Sequence, residues 1–174
     1  MVNLDELEEL LRSGKDEEAY KQIKEDRGIT AEILMNEGIT FGTLGDYSIS
    51  ISYFELAEKI AEDDKIIERV RVNLAVSYYN RGNAYGKLKK HEKAIEDYNK
   101  AIALDPEYAV AYNNRGTAYD ELKKHEKAIE DYNKAIALNP EYATAYANRG
   151  ITRLLSNEEL YKAIADFKSA RNFF

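Results

Sequence analysis

The sequence predicts an all-α fold, a solenoid built from a repeated helical hairpin, and three observations predict it. The first is self-similarity. Residues 88–104 and 122–138 are identical at all seventeen positions, thirty-four residues apart, and each run leads into a Pro-Glu-Tyr-Ala segment that starts at Pro106 or Pro140. A period of this length belongs to stacked-repeat architectures, in which each unit buries its apolar face against the next. The second is periodicity. Within 109–142, Tyr112, Gly116, Tyr119 and Leu122 recur at helical steps, and Ala128, Ile129, Tyr132, Ala135 and Ile136 form a second stripe, so each repeat holds two amphipathic helices. The third is composition: 44% hydrophobic residues, 33% charged residues and only two prolines in 174 residues favour packed helix over disorder.

Gly116 and Ala128 are small because two helices joined by a tight turn approach closely only where bulky side chains are absent. Asn139 before Pro140, like Asp105 before Pro106, reads as a helix N-cap followed by a first-turn proline. Together these residues resemble the tetratricopeptide repeat family. Its pattern places an aromatic at the fourth position, Gly at the eighth, Tyr at the eleventh, Ala at the twentieth, an aromatic at the twenty-fourth, Ala at the twenty-seventh and Pro at the thirty-second. Tyr78, Gly82, Tyr85, Ala94, Tyr98, Ala101 and Pro106 match it in 75–108; Tyr112, Gly116, Tyr119, Ala128, Tyr132, Ala135 and Pro140 match it in 109–142. The resemblance implies a right-handed superhelical solenoid of antiparallel helix pairs that binds other proteins without catalysis.

The whole chain, 1–174, then reads as a single array. Residues 1–30 hold a weakly matching helical hairpin, turned at Ser13 and Gly14. Residues 31–64 are a degenerate copy with Gly38, Phe41, Gly45, Tyr47, Phe54 and Ala57, and with Ser50 in place of the family's Ala. In 65–74, Ile66, Val70 and Leu74 continue a helical stripe into Tyr78 and predict one unusually long helix, either a spacer or a wall of the binding groove. The two close matches, 75–108 and 109–142, follow. Residues 143–174 form a C-terminal repeat that keeps Tyr146 and Gly150, carries Arg153 where the family has Tyr, and gains one residue before Ala163, Phe167 and Ala170. Ser156 with Glu159 reads as a capping box that starts its second helix.

At about 100° per residue, the second, sixth, ninth and thirteenth repeat positions face away from the buried stripe of each first helix. In the family these positions line the concave peptide-binding groove. The implied groove residues are Asn36 with Glu32, Ile39 and Thr43; Val76, Asn80, Asn83 and Lys87; Val110, Asn114, Thr117 and Glu121; and Thr144, Asn148 and Ile151 with Leu155. An Asn stands two residues before the glycine in all four sets, although Asn costs roughly half a kcal/mol against Ala in a helix. Its amide both donates and accepts, which suits a ladder that grips a peptide main chain and equally suits hydrogen bonds that only order neighbouring repeats. The family's carboxylate clamp for chaperone tails needs Lys and Arg at the second, fifth and sixth positions. Val76, Tyr79, Asn80, Val110, Asn113, Asn114, Thr144, Ala147 and Asn148 stand there instead, with no cation among them.

Charge and composition exclude other classes. A net charge of −7 argues against nucleic acid, and no apolar run approaches a membrane span. The acidic, amphipathic residues 1–11 do not read as a secretion signal. There is no cysteine for disulfides or thiolate ligands. A cytoplasmic protein is the expectation. His91 and His125 are copies one repeat apart and read as turn residues, not as a metal site. Glu96, Asp97, Glu130 and Asp131 alternate with Lys93, Lys100, Lys127 and Lys134 as a solvated face would. No cofactor, metal or catalytic constellation is therefore expected. Arg81, Arg115 and Arg149, each beside a repeat glycine, are predicted to pair with Asp97, Asp131 and Asp166. The expected function is a protein-interaction scaffold with a protein or peptide ligand. Two alternatives stay open. One is a homo-oligomer that stacks through the C-terminal end, where Phe173 and Phe174 replace a solvating helix. The other is an engineered, partly consensus array with no physiological ligand.

Overall fold

The computed structural model describes residues 3–26, 28–156 and 160–173. Among them are ten helices and no strand. Successive helices pack as hairpins in two compact units, residues 1–80 and 81–174.

The first unit holds α1 (Leu4–Arg12), α2 (Asp16–Glu25), α3 (Ala31–Thr43), α4 (Tyr47–Ile60) and the larger part of α5 (Asp64–Lys87). Gly14 and Gly45 turn the first two hairpins in the left-handed region, at φ of +71° and +83°, which glycine enters without a Cβ clash. Asn3 and Thr30 cap α1 and α3 by accepting from the backbone N–H of Asp5 and Ile33. Leu7, Leu11, Ala19 and Ile23 close the N-terminal hairpin, and Leu34, Met35, Tyr53, Phe54, Leu56 and Ala57 fill the next. The unbroken stripe of 66–78 does form one helix. All 24 residues of α5 are continuous, with Val70, Leu74 and Tyr78 buried at steps of four. Ser50, which departs from the family's Ala, is fully buried. Its hydroxyl donates to the Gly38 carbonyl at 2.7 Å and meets the Ser77 hydroxyl at 3.0 Å, tying α3, α4 and α5 together.

The second unit contains the end of α5 and then α6 (His91–Leu104), α7 (Ala109–Glu121), α8 (His125–Leu138), α9 (Ala143–Leu155) and α10 (Leu160–Asn172). Here Lys89 and Lys123 take the left-handed turn position, at φ of 57° and 59°. The repeat glycines are packing sites. A Cβ on Gly82 would lie 2.7 Å from the Tyr98 ring, one on Gly116 2.8 Å from Tyr132, and one on Gly150 2.9 Å from Phe167. The predicted arginine pairs form in all three repeats. Arg81, Arg115 and Arg149 each make a two-pronged contact with buried Asp97, Asp131 and Asp166, with closest approaches of 2.8, 2.6 and 2.6 Å. Arg115 also donates to Asn99, and Arg149 to Asn133, both at 2.6 Å, so each guanidinium joins two hairpins. Arg153, standing where the family has Tyr, supplies a second cation to Asp166 at 2.7 Å. Burial strips solvent from Arg115, but the hydrogen bond and charge of Asp131 more than offset this and hold its pKa above the ordinary value.

One local reading is corrected. Asp105 and Asn139 are C-caps of α6 and α8, and their Oδ1 atoms accept from the backbone N–H of Glu107 and Glu141 at 3.0 and 3.1 Å. This Asx turn keeps each proline in the connection, and the next helix begins only at Ala109 or Ala143. Ser156 ends α9 as its C-cap and donates to the Arg153 carbonyl. The Glu159 half of the proposed capping box lies outside the described residues, as does Phe174 of the C-terminal aromatic pair.

Burial pushes the Tyr132 phenol from 10.0 up to about 12. Because the folded value is raised, the contribution is fully present below about pH 10 and lost as pH rises towards 12, a loss on the order of 2 to 3 kcal/mol. Denaturant melts across this range are expected to show the loss, and Tyr132→Phe to reduce it. An unchanged alkaline profile in that variant would count against the assignment.

Candidate functional site

In the second unit the face turned away from the packing stripe is carried by the end of α5, by α7 and by α9. An open cavity of about 450 Å³ lies on it, lined by Asn83, Lys87, Asn114, Thr117 and Glu121, five of the expected groove residues, together with Gly86, His91, Tyr98 and Ala118. Val110 is 37% exposed and Ile151 49% exposed, Thr144 is exposed, and Asn148 is half-buried. In the first unit Val76 and Asn80 line a smaller cavity of about 200 Å³ with Ile39, Thr43, Asn73 and Ser77. Asn36 is exposed on α3, where its backbone carbonyl accepts from the Thr40 hydroxyl.

The asparagines of the second unit bond to one another. Asn114 Nδ2 donates to Asn83 Oδ1 at 2.9 Å, and the Tyr98 hydroxyl donates to the same oxygen at 2.8 Å. Asn113 Nδ2 donates to Asn114 Oδ1 at 3.0 Å, and Asn148 Nδ2 to Asn113 Oδ1 at 3.1 Å. This amide relay runs from α5 through α7 to α9, so the ordering role weighed for the asparagines has direct geometric support. Its central member, Asn113, is buried and lies outside the expected set. It sits at the fifth repeat position, where Tyr79 stands one repeat earlier, and that swap between near-identical repeats was the signal available for it.

The two histidines differ in partner. His125 Nδ1 lies 2.6 Å from Asp120 Oδ1, and both side chains are mostly buried. His91, its copy, lines the cavity, and Gly86 stands where Asp120 stands one repeat later. Among the described residues no group of three or more His, Cys, Asp or Glu could hold a metal ion, and no helix is long and apolar enough to cross a membrane.

The second tetratricopeptide domain of Spaghetti (RPAP3), bound to the HSP90 peptide SRMEEVD, is 34% identical over 62% of this chain and 97% of its own, with a TM-score of 0.59. The corresponding human RPAP3 domain, in complex with the HSP70 peptide SGPTIEEVD, is 35% identical over 61% of this chain and 85% of its own, at 0.56. The crystal structure of MamA is 26% identical over 99% of this chain and 96% of its own, at 0.62. No curated protein matches the chain. Family models of the tetratricopeptide repeat match residues 31–64, 75–108 and 109–142, more than half of the sequence and each a hairpin with a glycine packed on an aromatic ring, and the chain belongs to the tetratricopeptide repeat family.

Proposed function

We propose that the protein is a non-catalytic scaffold that binds an extended peptide or a helix of a protein partner on the concave face of its first helices. The observation that carries this reading is the pairing, within each unit, of exposed aliphatic side chains with half-buried amides. Val110 and Ile151 flank Asn114 and Asn148 in the second unit, and Ile39 and Val76 accompany Asn80 in the first. Aliphatic groups left in water beside hydrogen-bonding groups suit a ligand that brings both side chains and main chain. RPAP3 domains at about one-third identity bind peptides, which supports a peptide ligand. The absence of cations at the clamp positions sets this surface apart from a receptor for chaperone tails.

The test is selection of a random-peptide library on the full chain, followed by titration of the enriched peptides against isotope-labelled protein. Resonance shifts are expected at Val110, Asn114, Asn148 and Ile151 and not on the outer faces of α6 and α8. Asn114→Ala with Asn148→Ala is expected to weaken binding about tenfold or more, while loss of the amide relay costs about 1 kcal/mol of stability per hydrogen bond. No saturable peptide, or shifts confined to the outer faces, would overturn the reading.

A second reading, self-association through the C-terminal end, rests on α10. Phe167 is 37% exposed, whereas its counterpart Tyr132 is 1% exposed beneath the following hairpin, and Leu160 and Ile164 are also exposed. Phe173 covers part of this end by stacking on Tyr146 at 6.0 Å. Light scattering over a concentration series decides it: a strict monomer removes self-association.

A further inference from the structure

We infer that the cavity formed by the end of α5, α6 and α7 is a specificity subsite that takes one acidic side chain of the bound peptide; this rests on the groove reading above. The internal duplication carries much of the case. Residues 75–108 and 109–142 differ at six positions, and three of these, Asn83 against Thr117, Gly86 against Asp120 and Lys87 against Glu121, lie within five residues at the end of the first helix. Five of those six residues line the cavity. The second helices are copied without change, and half of the differences between the two repeats fall at this cavity.

Gly86 has no structural reason to be glycine. Its φ is not left-handed, and a Cβ built there would meet only the Tyr98 hydroxyl, at an ordinary 3.9 Å. Glycine is also a poor helix former, so local stability favours almost any other residue. What its absent side chain provides is space. One repeat later Asp120 fills the equivalent place and holds His125 at 2.6 Å, whereas His91 has no carboxylate at that position.

The groups left around the space are mainly donors. Lys87 brings an ammonium, His91 an imidazole, and Asn83 its Nδ2 group, because its Oδ1 already accepts from Asn114 and Tyr98. A carboxylate completes such a set, and bonds to it are charge-assisted. Glu121 is the one carboxylate among the lining residues and is exposed on the opposite wall, where water screens it.

The probes are peptides enriched from the random library on the full chain, resynthesised with Glu or Gln at each acidic position. At one position, Glu is expected to bind about tenfold more tightly than Gln. Gly86→Asp and, separately, the exposed-site variant Lys87→Gln are expected to bring Glu and Gln peptides within about twofold of each other, leaving the rest of the enriched motif intact. Melting curves confirm that both variants are folded. Equal binding of Glu and Gln peptides by the unaltered chain, or discrimination that survives both substitutions, overturns the subsite while leaving the groove reading in place. Failure to enrich any saturable peptide overturns both.

Discussion

Gly116→Ala is expected to destabilise the protein by about 2 kcal/mol, while the same substitution at Gly86 stabilises it by about 0.5–1 kcal/mol. Gly116 lies mid-helix and Gly86 in the last turn of α5, so both variants gain helix propensity, Gly86→Ala the less of the two. They differ in what the new methyl group meets. At Gly116 it would lie 2.8 Å from the Tyr132 ring and 3.2 Å from the Ala128 carbonyl oxygen. The ring cannot swing away at little cost, since Tyr132 is buried and its hydroxyl donates to Thr117 at 3.3 Å. Either α7 and α8 separate or the aromatic leaves its rotamer, and overpacking of this kind outweighs the propensity gain. At Gly86 there is only open space up to 3.9 Å. Denaturant unfolding of the two variants checks the opposite signs. In a Tyr132→Leu background the cost of Gly116→Ala should shrink, because the atoms it strikes have gone. A destabilised Gly86→Ala protein would mean that the helix needs glycine there for a reason other than space.

Asp166→Ala is expected to cost more, about 3–5 kcal/mol, because it removes the buried carboxylate that two arginines share. The carboxylate is 3% exposed, and Arg149 and Arg153 reach it at 2.6 and 2.7 Å with side chains 15% and 16% exposed. Without it, two mostly buried cations face each other across the site that had held the charge balancing them. The ion pair between Arg71 and Glu58, at 2.6 Å, is as short but has side chains 56% and 30% exposed, so Glu58→Ala should cost roughly 1 kcal/mol or less. Comparison of the two unfolding midpoints tests whether burial, and not distance, sets the value of these bridges. A small effect of Asp166→Ala would show that the arginines find water or another acceptor.

Much of the architecture was legible because it follows from patterns local to each helix. The period of thirty-four residues, the stripes in 109–142 and the unbroken stripe of 66–78 define hairpins and a long helix without reference to any neighbour. The pairing of Arg81, Arg115 and Arg149 with Asp97, Asp131 and Asp166 was legible for a related reason. Their near-constant separations of sixteen or seventeen residues, within one hairpin, recur three times. Cap identity was less so: Asp105 and Asn139 satisfy the sequence signature of an N-cap, yet the side chain that starts an Asx turn and the one that caps a helix are of the same type.

What the sequence by itself determined is therefore the repeat, its fold and the helix face turned away from the core. Only the tertiary structure decided how that face is used up. Asn114 has the same spacing from its glycine as Asn148, but one amide bonds to Asn83 and the other to Asn113, because each finds whatever the adjacent hairpin places opposite it. His91 and His125 sit in identical seventeen-residue runs and still differ in environment, since the helix before the run carries Asp120, which meets the His125 ring, in one repeat and Gly86, with no side chain, at the matching place in the other. Helical periodicity sets the direction of a side chain. The group it meets depends on a second helix, and that meeting is fixed only when the hairpins pack.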